Sequence, residues 1–195
     1  YNELRQHFIH YVSLLIHELN RMDPDTGLPE PKDCIFRINR DIRFSKDKSP
    51  YKTNMGAYIS SGGKKSFLPG YYLHIEPGAS MASGGMYMPP SAELKKVRKE
   101  IADNPSEFRS IIELKSFRDT FGEMYGEQLK TAPQGYPKDH PDIDLLRYKS
   151  YTVVRNMTEK ELTGPDSLNQ LITIYRELLP LNKFLRSSLI INHQG

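Results

Sequence analysis

Six cations crowd into the window 37–52: Arg37, Arg40, Arg43, Lys46, Lys48 and Lys52, against only Asp41 and Asp47. Arginine presents a planar fork of N–H donors that fits carboxylate or phosphate oxygens in pairs, and lysine adds a compact point charge. Serine and tyrosine hydroxyls and backbone amides in the same stretch can complete an anion cradle, and Pro50 holds the loop in one shape. Two carboxylates satisfy only part of six cations, so surplus positive charge remains. The six cations are therefore the candidate ligand-binding residues for a small anionic ligand bearing phosphate or carboxylate, which the protein binds, with or without transforming it. Two other readings stay open. In one, Asp41 and Asp47 pair with their neighbours and merely orient a loop, making the chain a non-catalytic structural or interaction domain; such pairs often add little stability. In the other, the cations track a nucleic-acid backbone, which would require an open basic groove and exposed tyrosines.

Two groups could move protons beside such a ligand. His74 alternates with Tyr72 and Glu76 on one face of a strand pattern, and Tyr51 lies within the basic stretch; these are the catalytic candidates. Other chemistry-bearing residues fit bland roles better. His10 and His17 share a helix face but lack a third metal ligand nearby. Asp139-His140-Pro141-Asp142-Ile143-Asp144 has a metal-like composition without a defined ligand spacing, and is expected to be a solvated or helix-capping loop. No metal centre is expected, and no cofactor can be named. Cys34 alternates with core positions and is expected to be a buried apolar residue. Gly62-Gly63-Lys64-Lys65-Ser66 lacks the spacing of a phosphate loop and is expected to be a turn.

The elements that position these residues follow from periodicity. Leu4, Phe8, Tyr11, Val12, Leu15, Ile16 and Leu19 predict an amphipathic helix over 2–20. Strands are predicted at 34–38, 55–60, 71–76, 80–88 and 149–154. Pro77-Gly78 predicts a turn joining 71–76 and 80–88 into a hairpin, and Gly84-Gly85 a bulge or a close approach by another backbone or a ligand. Arg37 and His74 would share a polar face if their strands were neighbours. Ser91 is the expected cap of a helix carrying Leu94, Val97 and Ile101. Asn104-Pro105-Ser106-Glu107 starts another, and Thr158-Glu159-Lys160-Glu161 makes a capping box. Asp166 opens the last helix, which Pro180 is expected to kink or break. Strands cluster centrally and helices at the ends, which predicts an α+β fold: a mostly antiparallel central sheet of about five strands flanked by helices.

Composition sets the frame. The 195 residues, 37 % of them apolar, predict one domain over 1–195 with a real core. Net charge is +3, and the basic window alone carries +4. The excess is thus local, which favours a small anion over nucleic acid. One cysteine excludes an intrachain disulfide and paired-cysteine zinc sites. No apolar run approaches the ~20 residues of a membrane span and no signal peptide is visible, so a cytoplasmic protein with no membrane partner is expected.

The stretch from Arg40 to Thr53, Arg-Asp-x-Arg-Phe-Ser-x-Asp-Lys-x-Pro-Tyr-Lys-Thr, resembles a bacterial family of conserved hypothetical proteins, a domain of unknown function. Further matches are Gly70-Tyr71-Tyr72-Leu73-His74-Ile75, Gly84-Gly85-Met86-Tyr87, the Leu94–Arg98–Ile101 spacing, Leu129-Lys130, Pro133, Gly135-Tyr136, His140-Pro141 and Leu146. The resemblance covers most of residues 35–155 and implies a compact domain in which the Arg/Lys segment is a hallmark; it supplies no reaction. Members usually carry an Asn-Asn-Arg-x-Trp-Phe stretch before the first helix, whereas this chain has no tryptophan.

Overall fold

The computed structural model describes residues 2–38 and 51–190. In chain order the elements are α1 (Asn2–Met22), α2 (Pro31–Cys34), β1 (Met55–Ile59), β2 (Gly70–Ile75), β3 (Met81–Met86), α3 (Ser91–Asp103), α4 (Pro105–Ile112), α5 (Lys115–Phe121), α6 (Ile143–Leu146), β4 (Tyr151–Asn156), α7 (Glu159–Thr163) and α8 (Ser167–Ile190). The strands form one sheet in the order β1-β2-β3-β4. β1 and β2 are antiparallel, with Gly56 opposite His74 and Tyr58 opposite Tyr72. The fold is α+β, as the residue pattern predicts.

The hairpin forms where Pro77-Gly78 places it. Ala79 N–H donates to the Glu76 carbonyl at 3.0 Å, and Gly78 has φ +73°, which suits the third position of a type II turn after proline. Ser80 Oγ locks the turn, accepting from Glu76 N–H at 3.0 Å and donating to the Glu76 carbonyl at 2.8 Å. So short a connection makes β2 and β3 antiparallel. Between β3 and β4, Met157 N–H donates to the Ser80 carbonyl, while Gly85 abuts Tyr151 and Thr152. The two strands therefore also run in opposite directions. Gly85, at φ +98°, is the close backbone approach that the Gly84-Gly85 pair signals.

The sheet has four strands among the described residues rather than about five. The missing one is 34–38. Pro31 is preorganised for a helix start and opens the short α2, which consumes Cys34. Only Ile35 then bridges Ala57. Phe36 N–H donates to the Gly56 carbonyl at 2.9 Å and Lys52 N–H to the Ile38 carbonyl at 2.8 Å. Residues 35–38 thus lie antiparallel beside β1 without a continuous ladder. Two helix details also differ from expectation. Ser91 is the first residue of α3, with Pro90 in the cap position. Pro180 sits inside an unbroken α8. The capping box forms as expected, Glu161 N–H donating to Thr158 Oγ1 and Thr158 N–H to Glu161 Oε2.

The described residues group into two compact units, each built from separate stretches of chain; β3, β4 and α8 contribute residues to both. No linker divides the units in the sequence. The core of the first unit joins Phe8, Val12, Leu15, Ile16 and Leu19 of α1 to Ala57, Ile59, Tyr71 and Leu73 of the sheet and to Leu171 and Tyr175 of α8. Two hydrogen bonds fix that packing. Tyr71 Oη donates to buried Asp23 Oδ2 at 2.8 Å, and Tyr175 Oη donates to the Tyr72 carbonyl at 2.7 Å. The second unit buries Val97, Ile101, Phe108, Phe117, Leu146, Tyr151, Leu181, Phe184 and Leu185. No described helix is long and apolar enough to cross a membrane.

Candidate functional site

A cleft of about 300 Å³ opens in the first unit, lined by Arg5, Phe8, Lys32, Ile35, Phe36, Arg37, Ile38 and Met55. Three local events build it. The first turns of α1 carry Arg5 one turn from the buried Phe8. Pro31 starts α2 and sets Lys32 on its exposed side. The extended 35–38 segment, bridged to β1, supplies the remaining wall with Met55. Among the described residues, three cations thus line one cleft and no carboxylate does. Among those residues too, none of the three has a carboxylate at ion-pair distance. Uncompensated positive charge in a concave, partly apolar site is what an anion needs.

Of the six cations singled out in the sequence, Arg37 lines this cleft. Lys52 is exposed, and its backbone pairs with Ile38 at the cleft wall. Arg40, Arg43, Lys46 and Lys48 lie outside the described residues. Arg5 and Lys32 escape a search for dense charge, since each stands alone in its stretch; only tertiary packing brings them to Arg37. Tyr51 is exposed.

Arg37 and His74 do not lie on neighbouring strands. The 35–38 segment pairs with β1, not β2. Ile35 bridges Ala57, whose partner in β2 is Leu73, so Ile35 falls on the core side. Phe36 falls on the other side, where its ring meets Tyr72 edge-on with centroids 6.1 Å apart. Arg37, next in the chain, is exposed and lines the cleft together with Arg5 and Phe8 of α1.

His74 instead belongs to a hydrogen-bonded row along β2. Its Nδ1 lies 3.1 Å from Tyr72 Oη and its Nε2 3.0 Å from Glu76 Oε2. Thr53 Oγ1 donates to Glu76 Oε1 at 2.6 Å. The hydrogen bonds from Thr53 and His74 hold the Glu76 carboxyl below its usual range. An ionised carboxylate only accepts, so Nε2 of a neutral ring carries the hydrogen and Nδ1 accepts from Tyr72. Burial, with the Glu76 charge nearby, pushes the Tyr72 phenol up and keeps it protonated. Gly56 makes room for that hydroxyl: a Cβ there would stand 2.8 Å from Tyr72 Oη. The row can hold a proton and pass it between Tyr72 and His74. Alternation places all three side chains on one face, so the sequence holds the signal for it.

The remaining candidates have structural roles. Asp142 and Asp144 are engaged by Arg109, at 2.8 and 3.1 Å. His140 Nδ1 accepts from Asp142 N–H at 3.1 Å, just before α6, which has no side-chain cap. Residues 62–66 form a turn in which Lys64 Nζ donates to the Lys32 carbonyl at 2.7 Å. Cys34 is fully buried. Burial pushes its thiol up to about 11, although the Lys64 charge works the other way. A thiol that titrates higher in the fold than in the unfolded chain stabilises the fold below the unfolded value. That contribution is lost as pH rises through about 11. The expected result is that a chromogenic disulfide reagent at pH 7 labels Cys34 at least tenfold more slowly in the native protein than in denaturant. Equal rates would show an accessible thiolate.

A family model described as "Conserved hypothetical protein (DUF2461)" matches residues 1–184. No curated protein and no solved structure matches the chain.

Proposed function

We propose, from the premise that the chain belongs to this family of conserved hypothetical proteins, that it binds a small anionic ligand in the cleft lined by Arg5, Lys32 and Arg37. The observation that carries the reading is the convergence of three cations on one concave site whose described lining includes no carboxylate. Arg37 brings the start of the basic window to the lining, and the Lys52–Ile38 backbone bond brings the far end of that window to the same wall. Arg40, Arg43, Lys46 and Lys48 are the further cations this reading assigns to the ligand. Together they make the Arg-Asp-x-Arg-Phe-Ser-x-Asp-Lys-x-Pro-Tyr-Lys-Thr stretch the hallmark of an anion site in a bacterial, cytoplasmic protein. The Tyr72–His74–Glu76 row is not part of the cleft lining, so this reading gives it no step on the ligand.

Titration calorimetry of the whole chain with inorganic phosphate and with acetate tests the reading. One of the two anions is expected to bind, with an affinity that falls as salt is added. Arg37→Ala is expected to weaken binding at least tenfold, the scale of one lost charge-assisted hydrogen-bond pair at about 1.5–3 kcal/mol. Lys115→Ala, which removes an exposed cation of the second unit, should change affinity less than twofold. If neither anion binds, or if Arg37→Ala binds as tightly as the parent, the reading fails.

A further inference from the structure

We infer that the ligand is amphipathic, an anionic head joined to a small apolar body, an inference that rests on the anion reading above. Five of the eight described lining residues, Phe8, Ile35, Phe36, Ile38 and Met55, are apolar. A site for a bare inorganic anion has no use for them, because hydrogen-bond donors should surround such an ion on every side. The volume agrees. At about 300 Å³ the cleft holds roughly ten times the ~30 Å³ share of one water molecule. That is well beyond an inorganic anion and at the lower end of small-molecule pockets. Phe36 is 38 % exposed, enough to offer ring surface to a ligand while its edge rests on Tyr72.

The cleft is therefore two-sided in its chemistry. Arg5, Lys32 and Arg37 would take the head, whose oxygens match guanidinium forks. Phe36, Ile38 and Met55 would cover the body and exclude water from the head. The shared chemistry of the ligand class is an aryl or short alkyl group carrying phosphate or carboxylate. Both heads fit the same cations, so the test distinguishes them.

The experiment measures Kd for the whole chain with inorganic phosphate, methyl phosphate, butyl phosphate and phenyl phosphate, and in parallel with acetate, pentanoate and benzoate. Within the preferred head group, affinity is expected to rise about fourfold per buried methylene until the cleft is filled. Phenyl phosphate or benzoate should exceed its small parent anion at least tenfold. Phenol, with the body and no charge, should bind at least tenfold more weakly than the charged aryl compound. Met55→Gln and Phe36→Ser should each flatten the chain-length series, costing butyl and phenyl phosphate, or pentanoate and benzoate, more affinity than the parent anion; circular dichroism would confirm that both variants fold. If inorganic phosphate and phenyl phosphate bind equally, and acetate and benzoate likewise, the amphipathic inference is overturned and the anion reading survives. If a chain-length series persists undiminished in both variants, the apolar contacts lie elsewhere and the inference is again overturned. If no compound binds, the anion reading falls first and takes this inference with it.

Discussion

Gly85→Ala is expected to lower the thermal midpoint by roughly 10 °C, corresponding to a loss of about 3 kcal/mol or more. Two costs add at this position. At φ +98° any side chain forces the backbone into a region that L-residues rarely adopt, at about 1–3 kcal/mol. A Cβ would also collide with the carbonyl oxygen of Tyr151 and press on Thr152 Cα. Those are backbone atoms of β4 and cannot rotate aside. Relief requires β3 and β4 to separate locally, beside the buried Tyr151. Gly78→Ala isolates the first cost, since Gly78 has φ +73° but nothing within 4 Å of where a Cβ would stand. That variant should lose only about 1 kcal/mol. Thermal and urea unfolding of the two variants beside the parent would check the difference. Equal losses would mean that backbone strain alone matters at Gly85 and that the strand contact yields easily.

The same glycine shows how the fold can be legible before any coordinates. Gly84-Gly85 inside an otherwise strand-like run signals a bulge or a close approach, and the structure has the backbone of β4 there. Pro77-Gly78 is equally informative, since turn chemistry acts over four residues and needs no tertiary context. The segment 34–38 shows the opposite. Its alternation is real, and 35–38 does lie extended beside β1. Whether an extended segment becomes a strand depends on the partner's hydrogen bonds and on Pro31 starting a helical turn just before it. Alternation alone carries neither fact.

The site is legible in part for a related reason. Arg37 stands out because charge density is a property of the chain. Arg5 and Lys32 do not, since they join it only through the packing of α1 and α2. The relation of Arg37 to His74 escapes the sequence because alternation gives relative faces, not absolute ones. One step in the choice of neighbouring strand exchanges the two sides. Pairing 35–38 with β1 brings Phe36 against Tyr72 and leaves β1 between Arg37 and the strand of His74. The Tyr72–His74–Glu76 row, in contrast, needs only alternation within one strand, and its members are hydrogen-bonded neighbours in the fold.

Tyr71→Phe is expected to cost about 1.5–3 kcal/mol, far more than its single lost oxygen would at the surface. Tyr71 and Asp23 are both fully buried, and the phenol donates to Asp23 Oδ2 at 2.8 Å. Asp23 follows the last turn of α1, its N–H donating to the Leu19 carbonyl at 2.7 Å. The bond therefore ties the end of α1 to β2, in the unit whose cleft takes Arg5 and Phe8 from the other end of that helix. Phenylalanine keeps the ring and its edge-on contact with Tyr175, at 5.1 Å between centroids. The substitution thus removes the donor to a buried carboxyl group while keeping the ring. Asp23 has further interactions, so the loss should stop short of the full penalty for an isolated buried charge. A double-mutant cycle with Asp23→Asn separates the bond from the rest. The amide still accepts a hydrogen bond but without the charge, so Tyr71→Phe should cost about 0.5–1.5 kcal/mol in that background. Urea unfolding of the four proteins gives the coupling directly. Purely additive losses would show that the charge on Asp23 adds nothing to the bond.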